Sequence, residues 1–286
     1  MKLSDILQNI STQHVSADLE MEITGVSYDS RQTQPGDLFV AMTGFATDGH
    51  KYISAAVERG AVCILCQTPP EGDIPYIQVE NSRRALAVVG ANFFHHPARE
   101  MTMVGVTGTN GKTTTTYLLK DILEHAAGAK VGLIGTNQNM IGDQVLHTER
   151  TTPESFEVQK LFREMADAGC THVVMEVSSH ALSLDRVYGV RYAVGVFTNL
   201  TQDHLDFHGT MEAYCDAKAI LFQNCDVGVY NADDPWAERL MAHATCSKVS
   251  FGEKTGDLQA QNICPHDTGV EFDAVEQGGV QKIQVA

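Results

Sequence analysis

The sequence predicts an α/β protein with two parts: a small N-terminal α/β domain, then a phosphate-loop domain with a mainly parallel sheet flanked by helices. Three observations carry this. Between Met101 and Asn231, apolar strand-like runs alternate with helical patterns. A glycine-rich turn, Gly108-Thr109-Asn110-Gly111-Lys112-Thr113-Thr114, joins the first of those runs to an amphipathic helix. Before residue 97 the pattern differs, with short β-rich pieces broken by turns.

In chain order, the first part offers strand-like pieces at Glu22–Tyr28, Asp37–Ala41, Ala61–Cys66 and Tyr76–Val79, with helical patterns at Tyr52–Arg59 and Ser82–Phe94. Pro97 disfavours helical geometry in the residue before it, so His95-His96-Pro97 closes the second helix and residues 1–97 are expected to form one domain. From 98 to 286 a second domain is expected. Its apolar runs are Met101–Thr107, Lys130–Ile134, Thr171–Val177, Tyr192–Thr198 and Val227–Asn231, and its helices Lys112–His125, Phe156–Ala168 and Met211–Gln223. Nearly continuous apolar strands separated by helices imply a parallel sheet covered on both faces, and ligands of such sheets bind at the carboxyl ends of the strands. The polar clusters of this sequence fall at those ends. Short strands at Val270–Ala274 and Val280–Val285 follow, and the chain stops on a strand-like run with no closing helix, as a cut chain would.

The formal net charge of -16 argues against broad binding to nucleic-acid backbones, which requires clustered Lys and Arg. It leaves room for a small anion held locally by backbone N–H groups. No apolar stretch approaches the ~20 residues of a membrane span, and the opening MKLSDILQNISTQ is not a secretory signal, so a cytoplasmic protein is expected. Seven scattered cysteines fit reduced, partly buried thiols. Cys63 and Cys66 make a C-x-x-C spacing, but in a strand an i, i+3 pair points to opposite faces, which opposes a redox or zinc role.

The strand–glycine loop–helix unit is the context of a phosphate site. Gly108 and Gly111 let the backbone fold around an anion, and the helix start points N–H groups at it. Lys112 is placed to reach the β- and γ-phosphates, and the Thr113 hydroxyl to ligate Mg²⁺. The general pattern asks for Gly at position 106, where Val106 stands. Two more clusters sit at strand ends: Glu176-Val177-Ser178-Ser179-His180-Ala181-Leu182, and Thr198 to Gly209, which contains Asp203, His204, Asp206 and His208. Carboxylates and an imidazole beside a triphosphate suit Mg²⁺. The pair His204 and His208, one helical turn apart, leaves a zinc site open as an alternative.

The loop GTNGKTT after an apolar strand resembles that of the Mur ligases, and the likeness spans essentially the whole chain. EVSSHAL, TNLTQDHLDFHG and the Ala217-Lys218 pair resemble the family's central domain. Val26 to Arg31, Pro35 to Ala41, Gly44 and Asp48-Gly49-His50 resemble its UDP-sugar domain of the MurE and MurF types. Thr151-Thr152-Pro153 and Ser183-Leu184-Asp185-Arg186 favour the MurE type.

The resemblance implies ATP binding by Gly108 to Thr114, with Lys112, His204 and Lys218 as catalytic residues. It implies a Mg²⁺ shell from Thr113, Glu176, His204 and Lys218, the last as a carbamate formed with CO₂. It implies contacts to UDP-MurNAc-L-Ala-D-Glu from Ser30, Thr151, Thr152, Ser178 and Arg186. Some relatives carry Gln two residues before that Arg, where this chain has Leu184. The implied reaction joins a diamino acid, diaminopimelate or lysine, to the D-Glu carboxylate through an acyl phosphate, in peptidoglycan synthesis by a monomer. Alternatives are a MurF-type sister enzyme, or a fragment lacking the C-terminal ligase domain that binds nucleotide or UDP-sugar without turnover.

Overall fold

A computed structural model describes residues 1–44 and 47–285; Ala286, where the expected second domain ends, lies outside them. The chain folds into two compact units. One comprises Met1–Glu100, Pro153–Asp167 and Leu184–Gly189, and the other Met101–Thr152, Ala168–Ser183 and Val190–Ala286.

In the first unit, β1 (Thr12–Val15), β2 (Gly25–Ser27), β3 (Asp37–Val40), β4 (Cys63–Cys66) and β5 (Tyr76–Val79) form a sheet in the order β1-β5-β4-β3-β2. It is parallel from β2 to β5, with β1 antiparallel at one edge. Side chains alternate across it, as a pleated strand requires. Leu38, Val40, Cys63, Leu65, Ile77 and Val79 join one core with Leu86 and Val89 of the helix Ser82–Phe93. Phe39, Ile64 and Cys66 join the opposite core with Ile53 and Ala56 of the helix Ile53–Glu58. Cys63 and Cys66 therefore face opposite ways, and burial pushes their thiols up to about 12 and about 11.

The helix Ser82–Phe93 begins where the Asn81 side chain accepts the Arg83 and Arg84 N–H groups. It ends ahead of His95 and His96, both left-handed (φ 59° and 55°), immediately before Pro97. The helix Ser155–Asp167 packs with this unit through Phe156, whose ring lies 5.9 Å from that of Phe93 and 5.1 Å from that of Phe94.

The second unit is built on one sheet. Its strands are β6 (Thr102–Thr107), β7 (Val131–Ile134), β8 (Asn139–Ile141), β9 (Gln144–Leu146), β10 (His172–Glu176), β11 (Tyr192–Phe197), β12 (Cys225–Asn231), β13 (Ser247–Gly252), β14 (Leu258–His266), β15 (Gly269–Glu276) and β16 (Gly279–Val285). The order is β16-β15-β14-β13-β12-β11-β6-β10-β7-β8-β9. From β7 to β14 every pairing is parallel; β8–β9 and β15–β16 add antiparallel edges. The expected five apolar runs are β6, β7, β10, β11 and β12, and they lie side by side. β6 occupies the centre, and the chain order leaves it toward β10 and β7 on one side and toward β11 and β12 on the other. That reversal opens a crevice at the strands' carboxyl ends, which is where sheets of this kind bind ligands. Among the described residues, no helix is long and apolar enough to cross a membrane.

Candidate nucleotide and metal site

The loop after β6 has the backbone that its glycines permit. Gly108 (φ 145°) and Gly111 (φ 82°) are left-handed, and Gly111 stands directly before the helix Lys112–Ala127. A Cβ on Gly108 would collide with the Thr198 hydroxyl.

The residues after β11 hold the loop in place. Thr109 N–H donates to the Asn199 carbonyl at 2.8 Å, and Asn110 N–H to the Asn199 side-chain oxygen at 3.0 Å. The Asn110 carbonyl accepts from the Thr198 hydroxyl at 2.7 Å and from Asn199 Nδ2 at 3.1 Å. The Thr109 hydroxyl accepts the Thr201 N–H at 3.0 Å. Asp234 in turn accepts the Leu200 N–H at 2.7 Å. Thr198 and Asn199 thus serve as a scaffold for the phosphate loop. Their position at the head of a polar run after a strand was visible in the sequence, but that role was not.

Two ammonium groups meet at this loop. Lys112 Nζ donates to the carbonyls of Gly108 and Thr109 at 2.9 and 2.7 Å, and Lys218 Nζ donates to the same Gly108 carbonyl at 2.9 Å. Lys218 is 1% exposed, its ammonium 4.5 Å above the Tyr214 ring. Burial, with Lys112 adding like-charge repulsion, brings its amine down to about 7. Burial also lowers Lys112, against the attraction of Glu176 and Asp203.

Glu176 ends β10 with 1% exposure. Its Oε1 accepts the Thr113 hydroxyl and the Thr136 N–H, both at 2.9 Å, and its Oε2 accepts the Thr136 hydroxyl at 3.0 Å. The Thr136 and Thr151 hydroxyls are 2.9 Å apart. A carboxylate and a hydroxyl side by side at a phosphate loop form a hard-oxygen set. That set fits Mg²⁺, which typically takes one or two protein oxygens plus phosphate oxygens and water.

Lys112, Thr113, Glu176, Lys218, Thr136 and Thr151 therefore gather at the carboxyl ends of β6, β7 and β10. Thr114 lies in the first turn of the loop's helix. Other expected residues take different places. His204 is left-handed (φ 52°), and its ring packs on His180 at 4.9 Å and near Tyr214 at 6.1 Å, with Nε2 3.5 Å from Asp203. His208 Nε2 is 2.9 Å from the Ser179 hydroxyl, and burial together with neighbouring cations pushes the imidazole down to about 4. Among the described residues, no three His, Cys, Asp or Glu side chains cluster in a way that could hold a metal ion. Among the described residues, His204 and His208 are thus not part of a set that could hold a metal ion, and the geometry lends the zinc alternative no support.

Thr152 donates to the Glu176 carbonyl at 2.9 Å and accepts the Ser178 N–H at 3.2 Å, and the Ser178 hydroxyl accepts the Ala181 N–H at 3.1 Å. Ser30 and Arg186 belong to the first unit. Ser30 is buried beside Asp29, whose carboxyl the Arg31 guanidinium holds below its usual range. Arg186 Nε pairs with the buried Glu154 at 2.5 Å, and Arg83 reaches the same carboxylate at 3.2 Å.

Residues 106–286 match the family model of the Mur ligase middle domain, which covers more than half of the chain. The chain belongs to the Mur ligase family. Residues 22–94 match a second model, described as the Mur ligase family, catalytic domain. This Mur ligase chain is 45% identical to a UDP-N-acetylmuramoyl-L-alanyl-D-glutamate–2,6-diaminopimelate ligase from Clostridium tetani, over all of this chain and 60% of that protein. With the ligase of the same name from Listeria monocytogenes it shares 43% identity, over 96% of this chain and 57% of that protein. It thus spans about 60% of the length of the relatives it matches. A solved structure of a ligase bearing that name superposes with a TM-score of 0.85 at 26% identity, covering 99% of this chain and 59% of that one. A MurF structure from Acinetobacter baumannii, 21% identical with a TM-score of 0.65, shares the fold.

Proposed function

We propose that this chain binds ATP and Mg²⁺ at Gly108 to Thr114 and serves the ATP-dependent joining of a diamino acid to UDP-MurNAc-L-Ala-D-Glu. The observation that supports it most is the meeting of Lys112, Thr113, Glu176 and Lys218 around one glycine loop. The names of the relatives favour diaminopimelate over lysine as the added amino acid. Residues 1–97 are assigned to UDP-MurNAc and residues 98–286 to ATP, with Ser30, Thr151, Thr152, Ser178 and Arg186 as contacts of UDP-MurNAc-L-Ala-D-Glu. The reading further holds that the protein acts as a cytoplasmic monomer with no nucleic-acid partner.

The reaction is written as attack of the D-Glu side-chain carboxylate on the γ-phosphorus. The bond to ADP breaks and an acyl phosphate forms. The incoming neutral amine then attacks the acyl carbon, an amide forms, phosphate leaves with the electron pair, and the proton lost by the nitrogen passes to the departing phosphate or to solvent. Lys112 exchanges its loop carbonyls for phosphate oxygens and stabilises the charge that shifts onto ADP. Thr113 and Glu176, together with His204 and a carbamate on Lys218, would hold Mg²⁺, which would supply charge neutralisation at the transferring group. The loop itself supplies alignment.

The carbamate on Lys218 has a physical rationale. Only the neutral amine reacts with CO₂, giving the N-carboxylate and a proton, and burial favours the neutral amine here. The product replaces a second cation beside Lys112 with an anion.

The test is phosphate release from ATP by this chain, with UDP-MurNAc-L-Ala-D-Glu and either diaminopimelate or lysine. Release that needs both substrates and is faster with diaminopimelate is the expected result. Tight nucleotide binding with no release would select the second reading, binding without turnover, which the chain's share of its relatives' length keeps open.

A further inference from the structure

Among the described residues, Glu176 is the one carboxylate hydrogen-bonded to the phosphate loop's Thr113, and its geometry depends on a residue that no sequence motif singled out. Thr136, two residues past β7, gives it two donors: the N–H to Oε1 at 2.9 Å and the hydroxyl to Oε2 at 3.0 Å. The backbone approaches this closely because residue 135 is glycine. A Cβ there would lie 2.6 Å from Oε1.

The protons can be counted. A hydroxyl has one proton to give, and a carboxylate only accepts. Thr113 spends its proton on Oε1, which leaves its oxygen lone pairs free for a cation. Thr136 spends its own on Oε2, so at 2.9 Å from Thr151 it can only accept, and Thr151 must donate to it. The Thr151 oxygen then has no proton left for a ligand. It faces any ligand as an acceptor, suited to an amide N–H or a sugar hydroxyl and unsuited to a phosphate or carboxylate oxygen.

We infer that Thr136 is a positioning residue. It fixes both oxygens of Glu176 for a divalent cation and sets Thr151 as an acceptor toward the ligand. The inference deepens the proposed function and rests on its reading of Glu176.

The experiment measures the Mg²⁺ concentration that half-saturates binding of a non-hydrolysable ATP analogue to the full chain. It compares the parent, Thr136→Val and Thr136→Ser, and uses circular dichroism to check that each is folded. Removing a partner that orients a metal ligand costs about 10- to 100-fold in metal affinity. Thr136→Val is expected to raise the half-saturating Mg²⁺ at least ~10-fold, and Thr136→Ser, which keeps both donors, to stay within about twofold of the parent. Equal Mg²⁺ requirements for parent and Val variant, or a Ser variant as impaired as Val, would overturn the inference while leaving the nucleotide site standing. A parent that binds the analogue without any dependence on Mg²⁺ would overturn the metal reading, and this inference with it.

Discussion

Lys218→Met is expected to abolish turnover while making the folded chain more stable at neutral pH. The opposite signs follow from one fact: an ammonium with 1% exposure sits beside a second lysine. Burial and Lys112 lower the amine from 10.5 to about 7 in the folded state, whereas in the unfolded chain it keeps its ordinary value. Between these values the unfolded chain holds a proton that the folded chain does not, so stability rises with pH across that window. At pH 7 and below, the lysine carries its full penalty, ~1.4 kcal/mol for every tenfold weakening of its hold on the proton. Methionine fills a similar volume without charge and loses one hydrogen bond, to the Gly108 carbonyl, worth about 1 kcal/mol.

Urea denaturation in CO₂-free buffer should therefore show the variant ahead by a few kcal/mol at pH 7, with the lead shrinking toward pH 10. Its phosphate release should fall at least ~100-fold. In protein equilibrated with ¹³C-bicarbonate, a carbamate carbon resonance should be present in the parent and missing in the variant. A variant less stable than the parent at pH 7, or one that keeps its turnover, would refute this role for Lys218.

Gly108→Ala is expected to reduce affinity for an ATP analogue at least ~100-fold, because the loop cannot keep its shape. At φ 145° a side chain costs of order 1–3 kcal/mol in backbone strain alone. The new methyl also meets the Thr198 hydroxyl, which itself anchors the Asn110 carbonyl at 2.7 Å. Relief requires breaking the contacts between the loop and residues 198–201. Gly128→Ala is the control. It too has positive φ (61°), but nothing lies within 4 Å of its added methyl, and it caps the far end of the same helix. Titration calorimetry should find the Gly128 variant about as tight as the parent and the Gly108 variant nearly silent. Similar affinities in both variants would mean that the loop does not cradle the nucleotide.

The sequence displayed the parts of this site that are contiguous and chemically unusual. The Gly108–Thr114 loop between an apolar run and a helix gave away β6, its turn and its helix. The apolar runs that became β7, β10, β11 and β12 were legible for the same reason: strands buried on both faces are apolar throughout. Strands with exposed faces were harder to see. Thr12–Val15 carries mixed residues, and pairing with β5 far along the chain made it a strand, whereas β8 and β9, from Asn139 to Leu146, pair locally but are too short to show an alternation. The packing of Ser155–Asp167 with the first unit was hidden too, since an amphipathic pattern states that a helix has an apolar face but not what covers it.

Within the site, Glu176 and Lys218 drew attention through residue type and family likeness. Thr136 did not, because an isolated threonine after a strand has no signature. Its role exists only through hydrogen bonds to Glu176, which lies 40 positions along the chain. Local sequence carries no record of such contacts.

The most direct measurement is a crystal structure of this chain with Mg²⁺ and a non-hydrolysable ATP analogue. The expected result has Lys112 Nζ moved from the Gly108 and Thr109 carbonyls to the β- and γ-phosphate oxygens, with the metal bound by the Thr113 hydroxyl and Glu176. Nucleotide bound elsewhere, with Lys112 still on those two carbonyls, would contradict the account.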